Sequence, residues 1–402
     1  MGRIDMPACH LSRYLWIIAF ILICGCTDEA ANAGTCPGLE ASRNREVDAA
    51  PILADCIAKT PVGAALQLSP GTYQLLTSLT IDRAVTIETK PLASGRACAK
   101  TIEANCAILS IGELAPSKAG RVMPIEITAP DVQLRSLIIT GKTGRSDIWE
   151  KRICLDERSR PLGGGVRVKG RNFHMSDVLL KNMSCYTAME AVAGADGLNI
   201  QNNMVGPNGQ HDVPMMWADG ITVHDAANAI VQKNIFLDNS DVQLIFGGCR
   251  NCTVRANIFR HSPLFKHASF AELMLHAWPH SSGDFSGSVT SGNDIDCNAS
   301  RRCGYGIMIG GEPWYPAKTF GGSVSDNRIS NARMGINVDR ITGEMIVRNN
   351  AVIRSGGAAI SDCGRRFWPA VNISPRSRGF LKTDIVEKSS IETRGCLLNR
   401  QE

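Results

Sequence analysis

Asparagine recurs at intervals along this chain of 402 residues, and this periodicity limits the possible folds more than any other feature of the sequence. From about residue 130, the chain repeats a short apolar strand, an Asn or other polar residue, a β-branched strand and a Gly-rich turn. The clearest marks of the repeat are Asp177, Asn203, Asn234, Asn257, Asn293, Asn327 and Asn350. They lie 26, 31, 23, 36, 34 and 23 residues apart. The shortest steps match one coil of a parallel β-solenoid, and the longer steps match coils that carry loop insertions.

The residues around these marks favour strands over helical repeats. A helical repeat would need apolar residues three and four positions apart, and these segments lack that spacing. An Asn at each turn is physically reasonable, because its amide can bond the Asn of the coil above and of the coil below, and because it tolerates a tight backbone corner. We therefore expect a ladder of asparagines along the solenoid axis.

An amphipathic helix is predicted over Asp48–Thr60, ahead of the first strands. Ala50, Leu53, Ala54 and Ile57 form its apolar face. The open end of a solenoid must be covered, and a helix is a common cover.

A Pro70-Gly71-Thr72-Tyr73 turn follows the helix, between strand patterns at 65–68 and 79–87. This turn, the capping helix and the Asn-marked coils resemble the pectate lyase-like superfamily, which includes polysaccharide lyases and polygalacturonase-type hydrolases. The resemblance covers about residues 45–365. It implies an all-β chain that forms a right-handed, single-stranded parallel β-helix with an N-terminal capping helix. It also implies acidic polysaccharides as the substrate class.

The sequence divides into four predicted parts. Residues 1–26 form a signal peptide, 27–47 a linker, 48–365 the capped β-helix, and 366–402 a tail that packs on the helix. Because the repeat is continuous, we expect one domain after the linker.

The leader has an apolar run, Leu15–Cys24, that is too short for a comfortable membrane span and follows Arg3 and Arg13. It resembles a bacterial lipoprotein signal with Cys26 as the lipidated residue. Ordinary secretion with cleavage nearby and an uncleaved apolar anchor are the alternatives. We expect an exported protein, which is either a lipoprotein of the outer membrane or cell surface, or periplasmic or secreted.

Fifteen cysteines also favour an oxidising compartment. Apart from Cys9, Cys24 and Cys26, they fall as close neighbours, which predicts sequential disulfides. The predicted pairs are Cys36–Cys56, Cys98–Cys106, Cys154–Cys185, Cys249–Cys252, Cys297–Cys303 and Cys363–Cys396. Zinc is an alternative at Cys249 and Cys252, but no second CxxC or His pair completes four ligands.

Equivalent residues of successive coils stack about 4.8 Å apart, so an alignment of coils predicts columns of neighbours. In the strands that follow the Gly-rich turns, the second and fourth positions are apolar and should face the interior, while the first, third and fifth should face outward. Our alignment places Asp241 and Glu272 in the first column on adjacent coils, and His224 and His276 in the fifth column two coils apart. Asp219 directly precedes one of these strands. The further outward candidates, expected to bind substrate, are Arg167, Lys169, Glu190, Gln243 and Asn337.

Three tryptophans lie in loops beside these coils: Trp217, Trp278 and Trp314. Exposed aromatic rings stack on the apolar C–H faces of sugars, while polar neighbours bind the hydroxyl groups. The alternative is that each tryptophan only fixes a long loop to the core.

Two chemistries suit this set of residues. A β-eliminating lyase needs a base for the C5 proton of a uronate, which His224 or His276 can supply, and cations for its carboxylate, which Arg167 and Lys169 can supply. The only cofactor expected is calcium, with Asp219, Asp241 and Glu272 as the candidate oxygen ligands. A glycoside hydrolase instead needs a proton-donating carboxyl group and a second carboxylate, which the same three acidic residues can provide.

The sequence favours an exported enzyme that cleaves an acidic, uronic-acid-containing polysaccharide by β-elimination. Its alternatives are a glycoside hydrolase on the same fold and a non-catalytic glycan-binding lipoprotein. The paired Asp and the Gly-His-Gly motif of polygalacturonases are absent, so residue roles rest on the coil alignment alone. A net charge of +5 without a basic cluster argues against nucleic acid as a partner. Membrane contact is expected only through the lipid anchor, and the sequence leaves the oligomeric state open.

Overall fold

The computed structural model describes residues 36–91, 98–100, 105–112, 123–141, 164–210, 212, 217–311, 317–386, 390–391, 393 and 396–398. The predicted signal peptide with Cys26, residues 27–35 of the predicted linker, Cys154 and Trp314 lie outside these residues. None of the helices within the described residues is both long enough and apolar enough to span a membrane.

The described helices lie near the N-terminal end. They are the α-helices Pro37–Ser42 and Ala50–Lys59 and the 3-10 helix Cys98–Lys100. The first of them lies in the segment that we predicted to be a linker. The second is the predicted capping helix, and Asp48 Oδ1 accepts a hydrogen bond from Ala50 N at its start. Its buried face is formed by Ala50, Leu53, Cys56 and Ile57. The assignment of Ala54 to that face was wrong: Ala54 is exposed, and Cys56, which is tied to Cys36, is buried instead.

Ten parallel strands, one from each coil, form what we call the front sheet. In order along the axis they are Leu79–Ile81, Ile125–Ile127, Val166–Val168, Tyr186–Ala191, Ala218–Val223, Val242–Phe246, Ser269–Leu275, Cys303–Gly310, Met334–Asp339 and Val371–Ile373.

The rest of each coil contributes to a second sheet of 19 strands, the back sheet. Its strands are Ala65–Leu68, Gly71–Leu75, Thr86–Thr89, Ala107–Ile111, Gln133–Thr140, His174–Lys181, Asn199–Gln201, Met204–Val205, Ile230–Gln232, Ile235–Leu237, Thr253–Arg255, Ile258–Arg260, Val289–Ser291, Asp294–Asp296, Ser323–Ser325, Arg328–Ser330, Met345–Arg348, Ala351–Ile353 and Leu381–Thr383.

Two small sheets complete the described elements. Ala226–Ala227 pairs with Cys249–Arg250 in parallel, and Gly357–Ser361 forms an antiparallel hairpin with Gly364–Trp368. Two solenoid strands, Val371–Ile373 and Leu381–Thr383, lie beyond residue 365, so the coils continue into the segment that we assigned to the tail.

The interior of the solenoid is filled by alternate residues of the front strands. The inward residues of seven successive front strands are all buried in one continuous core. They are Val166, Val168, Met189, Ala191, Ile221, Val223, Leu244, Phe246, Leu273, Leu275, Ile307, Ile309, Ile336 and Val338. They are the predicted residues on six strands, whereas on Val242–Phe246 they are Leu244 and Phe246 and not the predicted Val242 and Leu244. Stacking of this kind buries apolar area that a single coil cannot bury alone.

The predicted asparagine ladder is present at a corner of the back sheet. It runs through Asn203, Asn234, Asn257, Asn293, Asn327 and Asn350. Each Nδ2 donates to the Oδ1 of the next Asn at 2.9 to 3.0 Å. Each of these amides also bonds backbone groups of neighbouring coils, as Asn257 does with Val231 O. The ladder thereby satisfies polar groups at a buried corner where the strand pairing is interrupted.

With its parallel register, its Asn corner and its capping helix, the chain is a right-handed parallel β-helix, as the sequence predicted. Five of the predicted disulfides join described residues: Cys36–Cys56, Cys98–Cys106, Cys249–Cys252, Cys297–Cys303 and Cys363–Cys396. Cys185 is also disulfide-bonded, and its predicted partner Cys154 lies outside the described residues.

Candidate functional site

The outer face of the front sheet carries the predicted site, but one coil of our alignment was wrong by two residues. Leu244 pairs with Ile221 on one side and Leu273 on the other, whereas we had placed Val242 at that level. Consequently Asp241 and Glu272 do not share a column, and by this register Gln243 lies opposite Glu272. The other six strands of the alignment have the predicted register.

A network of alternating charges crosses the N-terminal part of this face. Glu190 is 2% exposed, and its carboxylate accepts from Arg167 Nε at 2.6 Å and from His224 Nε2 at 2.7 Å. The neighbouring Glu126 accepts from Arg167 at 3.1 Å and from Lys169 at 2.7 Å. Both permanent cations are therefore already paired with carboxylates of the protein.

Asp219 and Asp241 form an acidic pair on adjacent coils. Asp219 is almost fully buried, and its two oxygens accept from Thr222 Oγ1 at 2.9 Å and from the Val242 amide at 3.1 Å. Burial and the nearby charge of Asp241 raise the pKa of Asp219 well above its ordinary value. Burial also raises the pKa of the partly exposed Asp241, to about 7. The pair therefore retains a proton at mildly acidic to neutral pH.

Aromatic rings lie beside this network. The Trp217 ring meets Tyr186 edge-on at 6.5 Å, and the Tyr186 hydroxyl donates to Glu190 at 2.6 Å. The Trp278 ring meets His224 edge-on at 5.1 Å. Trp278 lies against Gly247, where an added Cβ would approach the indole to 2.7 Å. Glycine at that position lets the tryptophan lie close to the sheet.

Glu272 and Gln243 belong to a different cluster, which does not face outward as we predicted. Glu272 is fully buried and accepts from His261 Nε2 at 2.7 Å, and His261 Nδ1 lies 3.2 Å from Asp238. Gln243 Nε2 donates to the second Glu272 oxygen at 3.3 Å. Burial alone would lower the pKa of His261, but the charge of Glu272 and the bonds to both carboxylates raise it to about 9. The cluster is an imidazolium held between two carboxylates.

His276 and Asn337 are also less accessible than the sequence suggested. His276 is 1% exposed, and burial lowers its pKa to about 4, so it is neutral at physiological pH. Asn337 is fully buried because the C-terminal residues cover it, and its amide lies 3.4 Å from Thr393 Oγ1. Of the predicted bases, the one that lies in the network is His224.

The three candidate calcium ligands do not converge, because Glu272 is held by His261 and Ser269. Among the described residues, one group of three potential metal ligands has all of its ligand atoms within 4.8 Å of one another. This group consists of Glu272, Cys297 and Cys303. The two cysteines form a disulfide, so this group is not a metal centre. Calcium at Asp219 and Asp241 stays a prediction.

Several residues of the site were missed at the sequence level. Glu126 lies in the same column as Arg167, one coil earlier, and the alternation Ile125-Glu126-Ile127 was a sufficient signal for it. Thr222 carries the same signal between Ile221 and Val223, but Tyr186 gave none. Tyr186 has a φ of 65°, and this departure from extended backbone is not visible in the residue pattern.

A search against protein-family models found no match, and no curated protein matches the chain. Solved structures with a similar fold include the exopolygalacturonase of Thermotoga maritima, at 13% identity over 79% of each chain and a TM-score of 0.47. The adhesin PfbA of Streptococcus pneumoniae matches at 12% identity over 87% of this chain and 96% of its own, with a TM-score of 0.47. The A-module of the mannuronan C-5 epimerase AlgE6 of Azotobacter vinelandii matches at 11% identity over 82% and 83%, with a TM-score of 0.45.

Proposed function

We propose that the protein is an exported glycan-active enzyme and that it hydrolyses a glycosidic bond with Asp219 and Asp241. The observation that carries this proposal is the acidic pair on adjacent coils, in which burial opposes the ionisation of both carboxyl groups. Glycoside hydrolysis needs one protonated carboxyl group and one carboxylate that act on the same bond. A pair that shares a proton near neutral pH meets that need.

The surroundings of the two residues suggest their roles. Two donors, the Thr222 hydroxyl and the Val242 amide, bond the oxygens of Asp219 and partly offset the effect of burial on its carboxylate form. Asp241 is the more accessible member, so we assign it the proton. Asp241 then protonates the glycosidic oxygen as its bond to the anomeric carbon breaks. The Asp219 carboxylate assists the attack of water on that carbon, directly or through a covalent intermediate.

The neighbouring side chains fit sugar binding. Trp217 and Trp278 offer ring faces and edges on two sides of the network, and ring surfaces of this kind pack against the C–H faces of sugars. His224 and Arg167 provide hydrogen-bond donors for hydroxyl groups. We expect Trp278→Ala to weaken binding of the glycan more than it changes the turnover of bound substrate.

Hydrolysis fits the charges of the site better than the β-elimination that the sequence favoured. Elimination needs positive charge to neutralise the carboxylate of a uronate. Here Arg167 and Lys169 are both in ion pairs, with Glu126 and Glu190. An added uronate would have to compete with carboxylates that are already in place, unless a bound cation compensates.

The test is an assay of the purified protein on acidic polymers (polygalacturonate and alginate) and on neutral polysaccharides, with and without calcium. New reducing ends without the absorbance of unsaturated uronates support hydrolysis. Unsaturated products would instead support the lyase, and binding without cleavage would support the glycan-binding alternative.

Variants locate the activity. We expect Asp241→Asn to lower kcat by about 10²–10⁴-fold, the contribution typical of a general acid or base. Asp294→Asn is the matched control, because Asp294 lies on the back sheet, paired with Arg260. Full activity in Asp241→Asn would refute the assignment. Export is part of the proposal, and labelling of Cys26 with a radioactive fatty acid would test the lipoprotein form.

A further inference from the structure

The C-terminal half of the front sheet is covered by residues from the end of the chain. We call Ser390, Ile391, Thr393 and Cys396–Leu398 the strap, and we call the strap together with the hairpin Gly357–Trp368 the roof. The strap is tied to the turn of this hairpin by the Cys363–Cys396 disulfide. Beneath the roof lies a second apolar cluster, separate from the solenoid interior. Its buried members are Val242, Ile245, Phe270, Ala271, Met274, Tyr305, Met308, Met334, Ala359, Trp368, Cys396 and Leu398.

Polar groups at the front sheet bond the strap. Asp339 accepts from the Thr393 hydroxyl at 2.7 Å and from its amide at 3.2 Å. Asn372 accepts from the Ile391 amide at 2.9 Å and donates to its carbonyl at 3.0 Å. Arg333 donates to the Leu398 carbonyl at 2.6 Å. The Tyr305 hydroxyl also donates to the Cys396 carbonyl at 3.2 Å, so bonds to the strap come from three successive front strands, Cys303–Gly310, Met334–Asp339 and Val371–Ile373. The strap therefore lies across the coils, along the face where a polymer would otherwise lie.

The apolar cluster beneath the roof begins next to the acidic pair, at Val242 and Ile245. Along the third outward column, Thr222 belongs to the polar network, whereas Ile245 on the next coil belongs to the roofed cluster. Trp278, whose ring meets His224, also packs against that cluster. The outer face of the front sheet therefore changes from polar side chains to the apolar cluster at the coils that carry Asp219 and Asp241.

An extended polymer can contact successive coils only if it lies along the axis, because the columns of outward side chains run in that direction with a spacing of about 4.8 Å. A polymer in that orientation meets this apolar cluster immediately beyond the acidic pair, and it meets the strap from the coil of Tyr305 onward. A groove that is closed on one side of the reacting bond admits the end of a chain and excludes its interior.

We propose that the roof is the end wall of the substrate groove, and that the protein acts on the ends of glycan chains rather than within them. This inference rests on the proposed hydrolysis at Asp219 and Asp241, and it adds which bonds of the substrate are cleaved. On this proposal, the strap determines which bonds of the substrate are cleaved, in addition to stabilising the fold through its disulfide.

The first test is the size of the earliest products from whichever polymer the protein cleaves. We expect one short product from the first time points, and a polymer whose viscosity falls only slowly as reducing ends accumulate. A mixture of oligomers with a rapid loss of viscosity would overturn the end-wall proposal and leave the hydrolase proposal standing.

The second test releases the strap. In C363S/C396S with Leu398→Lys, we expect a several-fold rise in viscosity loss per reducing end formed, because polymer then passes the acidic pair. C98S/C106S is the matched control: it removes a disulfide near the back sheet and should keep the wild-type product pattern. Thermal melting shows whether the released variant is folded. If it is folded and still yields the wild-type products, the strap is not the wall.

A third measurement does not depend on turnover. Calorimetry of Asp241→Asn with size-fractionated polymers gives the number of protein molecules bound per glycan chain. End binding predicts one protein per chain at every chain length, whereas a number that grows with chain length contradicts the proposal. If the wild-type protein shows no cleavage at all, the same titration with the wild-type protein decides whether the groove is closed, even though the hydrolase proposal has failed.

Discussion

Asp241 lies where the surrounding protein opposes its ionisation, so the property that suits it to acid catalysis should also lower the stability of the fold. Its pKa is about 7 in the folded chain and about 3.8 when exposed, so the folded state binds more protons than the unfolded state between these values. The contribution of Asp241 to the free energy of unfolding is therefore complete below pH 4 and is lost as pH rises through 7.

We therefore predict that Asp241→Asn is more stable than the wild type above pH 7, by up to about 4 kcal/mol. The difference should vanish below pH 4. Urea unfolding at pH 4 and pH 8 measures it. Asp294→Asn should behave in the opposite way, because bonds to Arg260 and Arg328 lower the pKa of Asp294 despite its partial burial. A lower stability of Asp241→Asn at pH 8 would contradict this account.

His261 has the same sign of pH dependence as Asp241, because its pKa is also raised, but here the fold stabilises the charged form of the group. Its pKa is raised from 6.5 to about 9 between Asp238 and Glu272, so its contribution is complete below pH 6.5 and is lost as pH rises through 9. We predict that the melting temperature of the wild type falls between pH 7 and 10. His261→Gln should melt lower at pH 6 and lose most of that pH dependence. His174→Gln, on the back sheet, is the control and should keep the wild-type profile. An unchanged profile in His261→Gln would show that the buried imidazolium is not the source.

At the scale of the element, the asparagine ladder should stabilise the coils unequally along its length. Asn257 is fully buried and bonds the Asn on both sides, whereas Asn350 is the last rung and partly exposed. Loss of Asn257 leaves buried backbone and amide groups without partners, each at a cost of about 1–3 kcal/mol.

We predict that Asn257→Ala lowers the free energy of unfolding by several kcal/mol and that Asn350→Ala lowers it by clearly less. Denaturant titrations of the two variants give the comparison. If the two variants lose the same free energy of unfolding, each Asn stabilises only its own corner, and its position within the ladder does not matter.

The strands also show why the site was harder to predict than the fold. The inward residues of most front strands followed from the alternation of apolar and polar side chains, since a slip by one residue reverses every side chain. A slip by two preserves the alternation, so Val242 and Leu244 were equally acceptable at the same level. That ambiguity misplaced Asp241 beside Glu272, although the neighbouring strands had the correct register.

At the scale of the whole molecule, the capping helix covers the open N-terminal end of the solenoid. Leu53 is fully buried there, while Ala54 on the same helix is exposed. An uncovered end presents unpaired strand groups on which other chains can assemble.

We predict that Leu53→Ala lowers the free energy of unfolding by about 2–5 kcal/mol and promotes association on mild heating. Ala54→Ser should match the wild type in both respects. Chemical denaturation and light scattering are the measurements. If Leu53→Ala stays as stable and as monodisperse as Ala54→Ser, the helix is not needed as a cover.

The sequence by itself determined the solenoid, its asparagine corner, its cap and five of its disulfides, because each of these depends on a pattern that is short-range along the chain. Only the tertiary structure decided which outward residues form the site. The register of one strand moved Asp241 away from Glu272, Glu272 and His276 are buried rather than exposed, and the strap covers Asn337. Such contacts join residues that are distant along the chain, and no local pattern encodes them.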